Sequence, residues 1–204
     1  MPTFTEPLIQ SIHELWFGEL DAEGRASPGK VEKWFSKDPA FDQLIRKHYL
    51  EYVDPAFMGA FDRWPKTDEG LVALTILLDQ FPRNMFRDTA RAFAYDKKGM
   101  ATSFLVFKDD HYLQMQPLYA YFSLMPTMHA EYLDVQEMGL AAFSRLLDKV
   151  PAAHKEMIGT AQRFAKAHRD IIARFGRFPH RNAILGRAST PEEIAFLREP
   201  GSSF

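Results

Sequence analysis

The sequence predicts an all-α fold. Apolar residues recur at three- and four-residue spacing along most of the chain, helix-start signals pairing a capping residue with a nearby proline return at Thr5-Glu6-Pro7, Asp38-Pro39 and Thr190-Pro191, and strand-like alternation is missing. Short polar breaks between the periodic stretches predict antiparallel neighbours joined by short connections.

Taken in order, Thr5-Glu6-Pro7 opens a first helix in which Leu8, Ile12, Leu15 and Trp16 share a face before Gly18. Glu19 to Lys30, with Gly24, Pro28 and Gly29, reads as a polar loop, and Val31 to Phe35 as one short helical turn. Asp38-Pro39 starts a helix carrying Phe41, Leu44, Ile45, His48, Tyr49 and Tyr52, which Asp54-Pro55 either interrupts or succeeds with another. Thr67 caps a helix whose Leu71 to Leu78 leave almost no polar face, the mark of a central, buried helix. Pro82 is expected to end it, because proline disfavours helical geometry at Phe81 and withholds a donor. Asp88-Thr89 restarts a helical pattern running to the polar break Lys108-Asp109-Asp110, and the aromatic stretch Leu118 to Met125 is expected to stop at Pro126. His129, Leu133, Gln136, Leu140, Phe143 and Leu147 then read as one stripe of one helix. Ala161, Phe164, His168, Ile171 and Phe175 form another stripe, closed by Gly176 at the C′ position. Thr190-Pro191-Glu192-Glu193 combines a capping box with a proline at N1 and announces a last short helix.

Composition bounds the functional classes. The 204 residues are 46% hydrophobic and 14% aromatic, enough for one domain spanning 1–204 that buries roughly 70% of its unfolded surface. There is no cysteine, so disulfides, thiolate metal sites and cysteine nucleophiles are excluded. The longest aliphatic stretch, Leu71 to Leu78, falls far short of the roughly 20 residues a membrane span requires, and Met1 to Gln10 has no signal-peptide character. A cytoplasmic protein without membrane association is expected. The net charge of −2 speaks against nucleic acid as a partner, although Arg163 to Arg187 holds seven Lys or Arg residues against one acid. That segment reads equally as a solvated helix face and as an anion-attracting site.

The chemistry-bearing residues cluster around Phe-Pro dipeptides. Asp79-Gln80-Phe81-Pro82-Arg83-Asn84 with Phe86-Arg87 finds an echo in Arg177-Phe178-Pro179-His180-Arg181-Asn182, and both stretches are read as helix ends that meet. An acid in the last turn of a buried helix faces the negative end of the macrodipole as well as desolvation, so Asp79 requires a partner; Arg83, Arg87, Arg177 and Arg181 are the candidates. The pairing is expected first as a structural lock and second as a carboxylate held for acid-base work or ligand orientation. His129 and His168 sit on apolar stripes, where a satisfied core histidine is the commoner outcome. His129 and Glu131 are two apart and cannot share a helical face, so a helix-borne zinc pair is unsupported and no metal site is assigned. Glycine-rich phosphate loops, dinucleotide fingerprints and serine-hydrolase elbows are absent, which removes the common nucleotide and serine-hydrolase readings and leaves any cofactor unknown.

Leu78-Asp79-Gln80-Phe81-Pro82-Arg83-Asn84 with Phe86-Arg87, Met128-His129-Ala130-Glu131, the stretch Phe175 to Asn182, Leu185-Gly186-Arg187 and Ser189-Thr190-Pro191-Glu192-Glu193 together resemble domain-of-unknown-function family 924, a mainly bacterial family. The resemblance covers essentially the whole chain. It implies an all-α array similar to the tetratricopeptide-like right-handed superhelix, and no established activity. Relative to the family's Pro-Phe-Met-His-Ser-Glu segment, Ala130 replaces the serine, which argues against a serine nucleophile there.

Two functional expectations follow. The first is a polar site for an anionic small molecule, open to hydrolysis or group transfer with a histidine base, built from Asp79, Arg83, Asn84, Arg87, His129, Glu131, His168, Arg177, His180, Arg181 and Asn182. The alternative is a helical-repeat module that binds a peptide or protein, with the polar motifs acting as structural locks.

Overall fold

A computed structural model of the protein describes residues 7–202; the expected capping residue Thr5 and the acid Glu6 beside it lie outside them. Among the described residues every regular element is helical. The α-helices are α1 (Pro7–Trp16), α2 (Pro28–Phe35), α3 (Pro39–Phe57), α4 (Asp68–Thr75), α5 (Phe81–Met85), α6 (Asp96–Ser103), α7 (Pro117–His129), α8 (Leu133–Lys149), α9 (Ala152–Phe175) and α10 (Pro191–Phe196). Their starts follow the expected chemistry: the Asp38 carboxylate accepts from the amides of Ala40 and Phe41, Thr67 accepts from Gly70, and Thr190 with Glu193 completes the capping box. At the other end of α9, Gly176 takes the left-handed conformation, φ 67°, and its amide bonds the Ile172 carbonyl.

The core lies where α4 and α7 cross. Leu74, Ile76, Leu77 and Leu78 from the first segment and Leu118, Ala120, Phe122 and Leu124 from the second are removed from solvent. Edge-to-face aromatic pairs tie α1, α2 and α5 to this centre: Trp16 lies 5.7 Å from Phe81 and 5.6 Å from Phe122, and Trp34 lies 4.9 Å from Phe122. Helices α8 and α9, separated by Val150 and Pro151, double back on each other and cover one side of α7. Gly139 lets α8 approach closely, since a Cβ there would stand 2.1 Å from Thr127 Oγ1. Beyond α9, Ile171, Ile172 and Phe178 with Phe175 and Phe196 form a smaller apolar cluster that seats the C-terminal segment.

Several expected breaks are corrected. Pro82 does not end the central helix: α4 passes through a π-helical turn, Ile76–Gln80, directly into α5, and Phe81 stays helical at φ −59°, ψ −40°. The wider turn, closed by Phe81 N–H to the Ile76 carbonyl, is the device that places a proline where an α-helix would drive its ring against the carbonyl four residues back. Pro126 lies inside α7, which runs on to His129. Hydroxyls serve the carbonyls around it: Ser103 Oγ donates to Ser123 O at 2.5 Å and Thr127 Oγ1 to Leu124 O at 2.7 Å. The stripe drawn from His129 to Leu147 spans two helices, because the chain leaves helical geometry at Ala130 and at Tyr132, φ −132°, before α8 begins. Helix α2 starts at Pro28, earlier than expected, and α3 continues through Pro55.

Candidate functional site

The π-helical turn carries Asp79, whose residue exposure is 0%. Its Oδ1 accepts from His129 Nδ1 at 2.7 Å and pairs with Arg83 Nη1 at 3.2 Å, and its Oδ2 accepts from Gln80 Nε2 at 2.6 Å. Arg83 Nη1 also donates to the Asp79 backbone carbonyl at 2.7 Å. Burial pushes the Asp79 carboxyl up, but the Arg83 charge and the bonds from His129 and Gln80 outweigh it and hold the group ionised, below the usual carboxylate range.

His129 is the last residue of α7, and the break at Ala130 exposes one side of its ring. A carboxylate has no proton to give, so the bond from Asp79 fixes Nδ1 as the donor and leaves Nε2 the basic nitrogen. Burial and the Arg83 charge lower the imidazole pKa, against the pull of Asp79, and the ring is neutral at physiological pH. Among the described residues no hydrogen bond engages Nε2. His129, unlike Asp79, lines an open cleft of about 570 Å³.

Behind the cleft, His168 stands with its ring centroid 6.2 Å from that of His129 and gives its Nδ1 to the Phe164 carbonyl at 2.7 Å. Burial, aided by His129, pushes its pKa down to about 3; His180, buried beside Arg181, is pushed down to about 4. Both are neutral at pH 7.

The two Phe-Pro stretches do meet, through a residue the motif reading did not include. Asp96, the first residue of α6, pairs by Oδ1 with Arg83 Nη2 at 2.9 Å and by Oδ2 with Arg181 Nη1 at 3.2 Å. Arg181 lies in a 3-10 turn, Pro179–Arg181, with 7% of its side chain exposed. The Phe93 and Phe178 ring centroids each lie 4.5 Å from its Cζ. Burial and the neighbouring Arg83 charge lower its pKa to about 10, so it remains a cation at neutral pH.

The outer wall is made of acid-arginine pairs. Glu131 accepts from Arg187 at 2.6 and 2.9 Å and from the Phe178 amide at 2.8 Å, strapping the α7–α8 break to the C-terminal segment. Burial raises its pKa, but the Arg187 and Phe178 bonds prevail and leave it below the ordinary range. Arg177 binds Glu193, 2.6 and 2.8 Å, rather than Asp79, and its bonds hold the Glu193 carboxyl at about 2. Asn182, wholly buried, bridges Ser189, Glu193 and Arg187. Asn84 and Arg87 face away and grip Asp42 of α3. Of the expected residues, His129, Glu131, Arg177 and Arg181 line the cleft; Asp79, Arg83 and His168 stand behind that wall, His180 packs beside Phe178, Asn182 braces the C-terminal segment, and Asn84 and Arg87 lie elsewhere. Asp96, Arg187, Glu193 and Phe93 were missing from the sequence-derived set. Arg187 and Glu193 lay within legible motifs, whereas Asp96 has nothing local to distinguish it from an ordinary acid at a helix N-terminus.

From Lys166 onward each cation of the basic segment has an acid brought to it: Asp170 for Lys166 and Arg169, Glu192 for Arg174, and the partners above for the rest. Among the described residues no group of three or more His, Asp or Glu side chains is placed to hold a metal ion. No helix of the described residues is long and apolar enough to cross a membrane.

A family model described as "Bacterial protein of unknown function (DUF924)" matches residues 12–201. A solved structure titled "Structure of Protein of Unknown Function ATU0120 from Agrobacterium tumefaciens" is similar to this chain at 33% identity and a TM-score of 0.75, covering 93% of this chain and 96% of that one. No curated protein matches.

Proposed function

The chain belongs to this bacterial family of unknown function, and we propose that its cleft takes a small anionic molecule, with His129 as the proton acceptor. One observation carries the reading: a buried carboxylate fixes the tautomer of a histidine that opens onto a cleft. A structural lock needs Asp79 paired, but it does not need an imidazole at the cleft wall with its basic nitrogen unengaged. Hydrolysis or group transfer is the reaction class this base fits, and Arg181 and Arg187 supply positive charge at the same wall. The reading takes the chain as one cytoplasmic domain. Melting measured with inorganic phosphate, nucleotides and carboxylates, together with the NMR resonance of the His129 ring, tests it. Occupancy raises the melting temperature and moves that resonance. A folded protein in which neither responds to any anion at millimolar concentration refutes it.

A second reading has its own observation. Leu105, Tyr132 and Leu133 are exposed, and a shallow groove of about 330 Å³ lies among Phe104, Phe107, Val135 and Met138. Such a surface suits an apolar peptide, as the tetratricopeptide-like interaction module would require. Peptide binding unaffected by His129→Gln would favour it.

A further inference from the structure

The cleft reading becomes more specific at Arg181. Nη1 of this side chain is taken by Asp96, and the Phe93 and Phe178 rings lie against the guanidinium. Nε is buried and, among the described residues, has no hydrogen-bond partner. A buried donor left unmade is a standing cost, and it sits here on a cation that lines the cleft. With Nη1 engaged and the rings in place, what remains is the Nε–Nη2 edge, two parallel N–H groups in one plane.

We infer that this edge is a subsite for a planar carboxylate, so that the ligand is a small carboxylic acid whose apolar body lies in the cleft near His129. The inference rests on the cleft reading above and adds the chemical class of the ligand. Two coplanar acceptor oxygens match the fork and satisfy the orphaned Nε–H. Of the cations that line the cleft, Arg177, Arg181 and Arg187 are matched by Glu193, Asp96 and Glu131, and Lys97 adds one further positive charge, a balance that suits a monoanion better than a phosphate dianion. Phe93, Ala94, Met100, Tyr132 and Leu185 supply apolar wall for the rest of the molecule.

Octanoate and 4-phenylbutyrate are the probes, inorganic phosphate the tetrahedral comparison and octanamide the uncharged one, each titrated calorimetrically into the intact wild-type chain and into Arg181→Lys. Lysine keeps the positive charge and loses the two-pronged edge. The wild type is expected to bind a carboxylate with a shift of the Arg181 Nε–H resonance, and Arg181→Lys to bind roughly tenfold more weakly or worse. The Nε–H shift is read on wild-type protein, so the test stands even if the variant folds poorly. Equal binding of octanoate and octanamide, phosphate binding tighter than either carboxylate, or an unmoved Nε–H in a saturated complex overturns the carboxylate assignment. In those cases a ligand-dependent shift of His129 leaves the cleft reading standing. An unmoved His129 with every probe removes both.

Discussion

Asp79→Asn isolates what the buried charge contributes. The substitution preserves shape and leaves an oxygen for His129 Nδ1, while the new amide nitrogen requires the Gln80 amide to turn its oxygen toward it, so the main effect is electrostatic. In the wild type Asp79 neutralises half of the environment of Arg83, which lies 3.2 Å from Asp79 and 2.9 Å from Asp96. Removing one partner of a buried pair typically costs about 3–5 kcal/mol because the other charge is stranded. Arg83 keeps Asp96, which places the expected loss at the low end, about 3 kcal/mol, or about 6–12 °C in melting temperature for a chain of this size. The same change withdraws the charge that raises the His129 pKa, so that imidazole should become harder to protonate. Urea denaturation gives the stability, and nitrogen chemical shifts of the His129 ring give its tautomer and titration. A loss below about 1 kcal/mol, the scale of a solvent-exposed pair, together with an unaltered His129 titration would refute the account of Asp79 as a desolvated carboxylate that governs this imidazole.

Histidine burial sets a pH dependence. The folded-state pKa of His168 lies at about 3 and that of His180 at about 4, below the unfolded value of about 6.5, so as pH falls below about 6.5 the unfolded chain binds protons that the folded chain refuses. Stability should fall between about pH 6.5 and 4.5, His168 contributing on the order of 1 kcal/mol per pH unit, and His168→Gln should flatten the slope in urea titrations. The depressed carboxyl of Asp79 acts in the same direction over a lower window, its stabilisation being present above about pH 4 and lost only at lower pH. Gly139→Ala should destabilise by about 1–3 kcal/mol, since the added Cβ meets Thr127 Oγ1 at 2.1 Å and Thr127 Cβ at 2.7 Å; unchanged denaturation would mean that α7 and α8 are free to separate. Glu131→Gln should speed amide exchange at Phe178 and through residues 176–190 while leaving α4 protected, an outcome hydrogen-exchange mass spectrometry resolves.

The helical architecture was legible because its signals are local. Asp38, Thr67 and Thr190 cap helices in the structure, and Gly176 closes α9 with the positive φ that glycine adopts freely. What misled was the assumption that prolines stop helices. Pro82 and Pro126 both lie inside buried helices, the first just after a widened turn and the second beside hydroxyls that bond the Ser123 and Leu124 carbonyls, features whose part only tertiary packing reveals. The spacing from His129 to Leu147 also concealed a break, because Ala130 to Tyr132 contains neither glycine nor proline and is held open by tertiary contacts such as the Gln136 side chain bonding the Met128 and Ala130 carbonyls at 2.6 and 2.8 Å. For the site, the residue types were readable and the pairings were not. Asn84 and Arg87 follow the same motif as Arg83 yet bind Asp42, since Asn84 is one step round the helix and Arg87 lies beyond the end of α5, where Phe86 leaves helical geometry at φ −125°. Asp96 reaches Arg181 across 85 residues of sequence, a distance no local pattern spans.

The corrected break at Ala130 decides how the Asp79 network should be understood. Had His129 belonged to the stripe of α8, its ring would have been one more buried group, and the pairs to Asp79 would have served stability alone. Ending α7 at His129 puts the imidazole between two environments, with Nδ1 on a carboxylate inside the core and the other side of the ring on the cleft. The interior bonds then have a consequence outside: Arg83 and Gln80 keep Asp79 ionised, an ionised Asp79 keeps the proton on Nδ1, and a proton fixed on Nδ1 leaves Nε2 basic. The π-helical turn belongs to the same chain of cause, for it carries Asp79, whose backbone carbonyl takes a bond from Arg83. On the proposed reading structural lock and chemical site are one set of bonds, and separating them requires variants such as Arg181→Lys that alter the cleft edge while leaving the bonds to Asp79 in place.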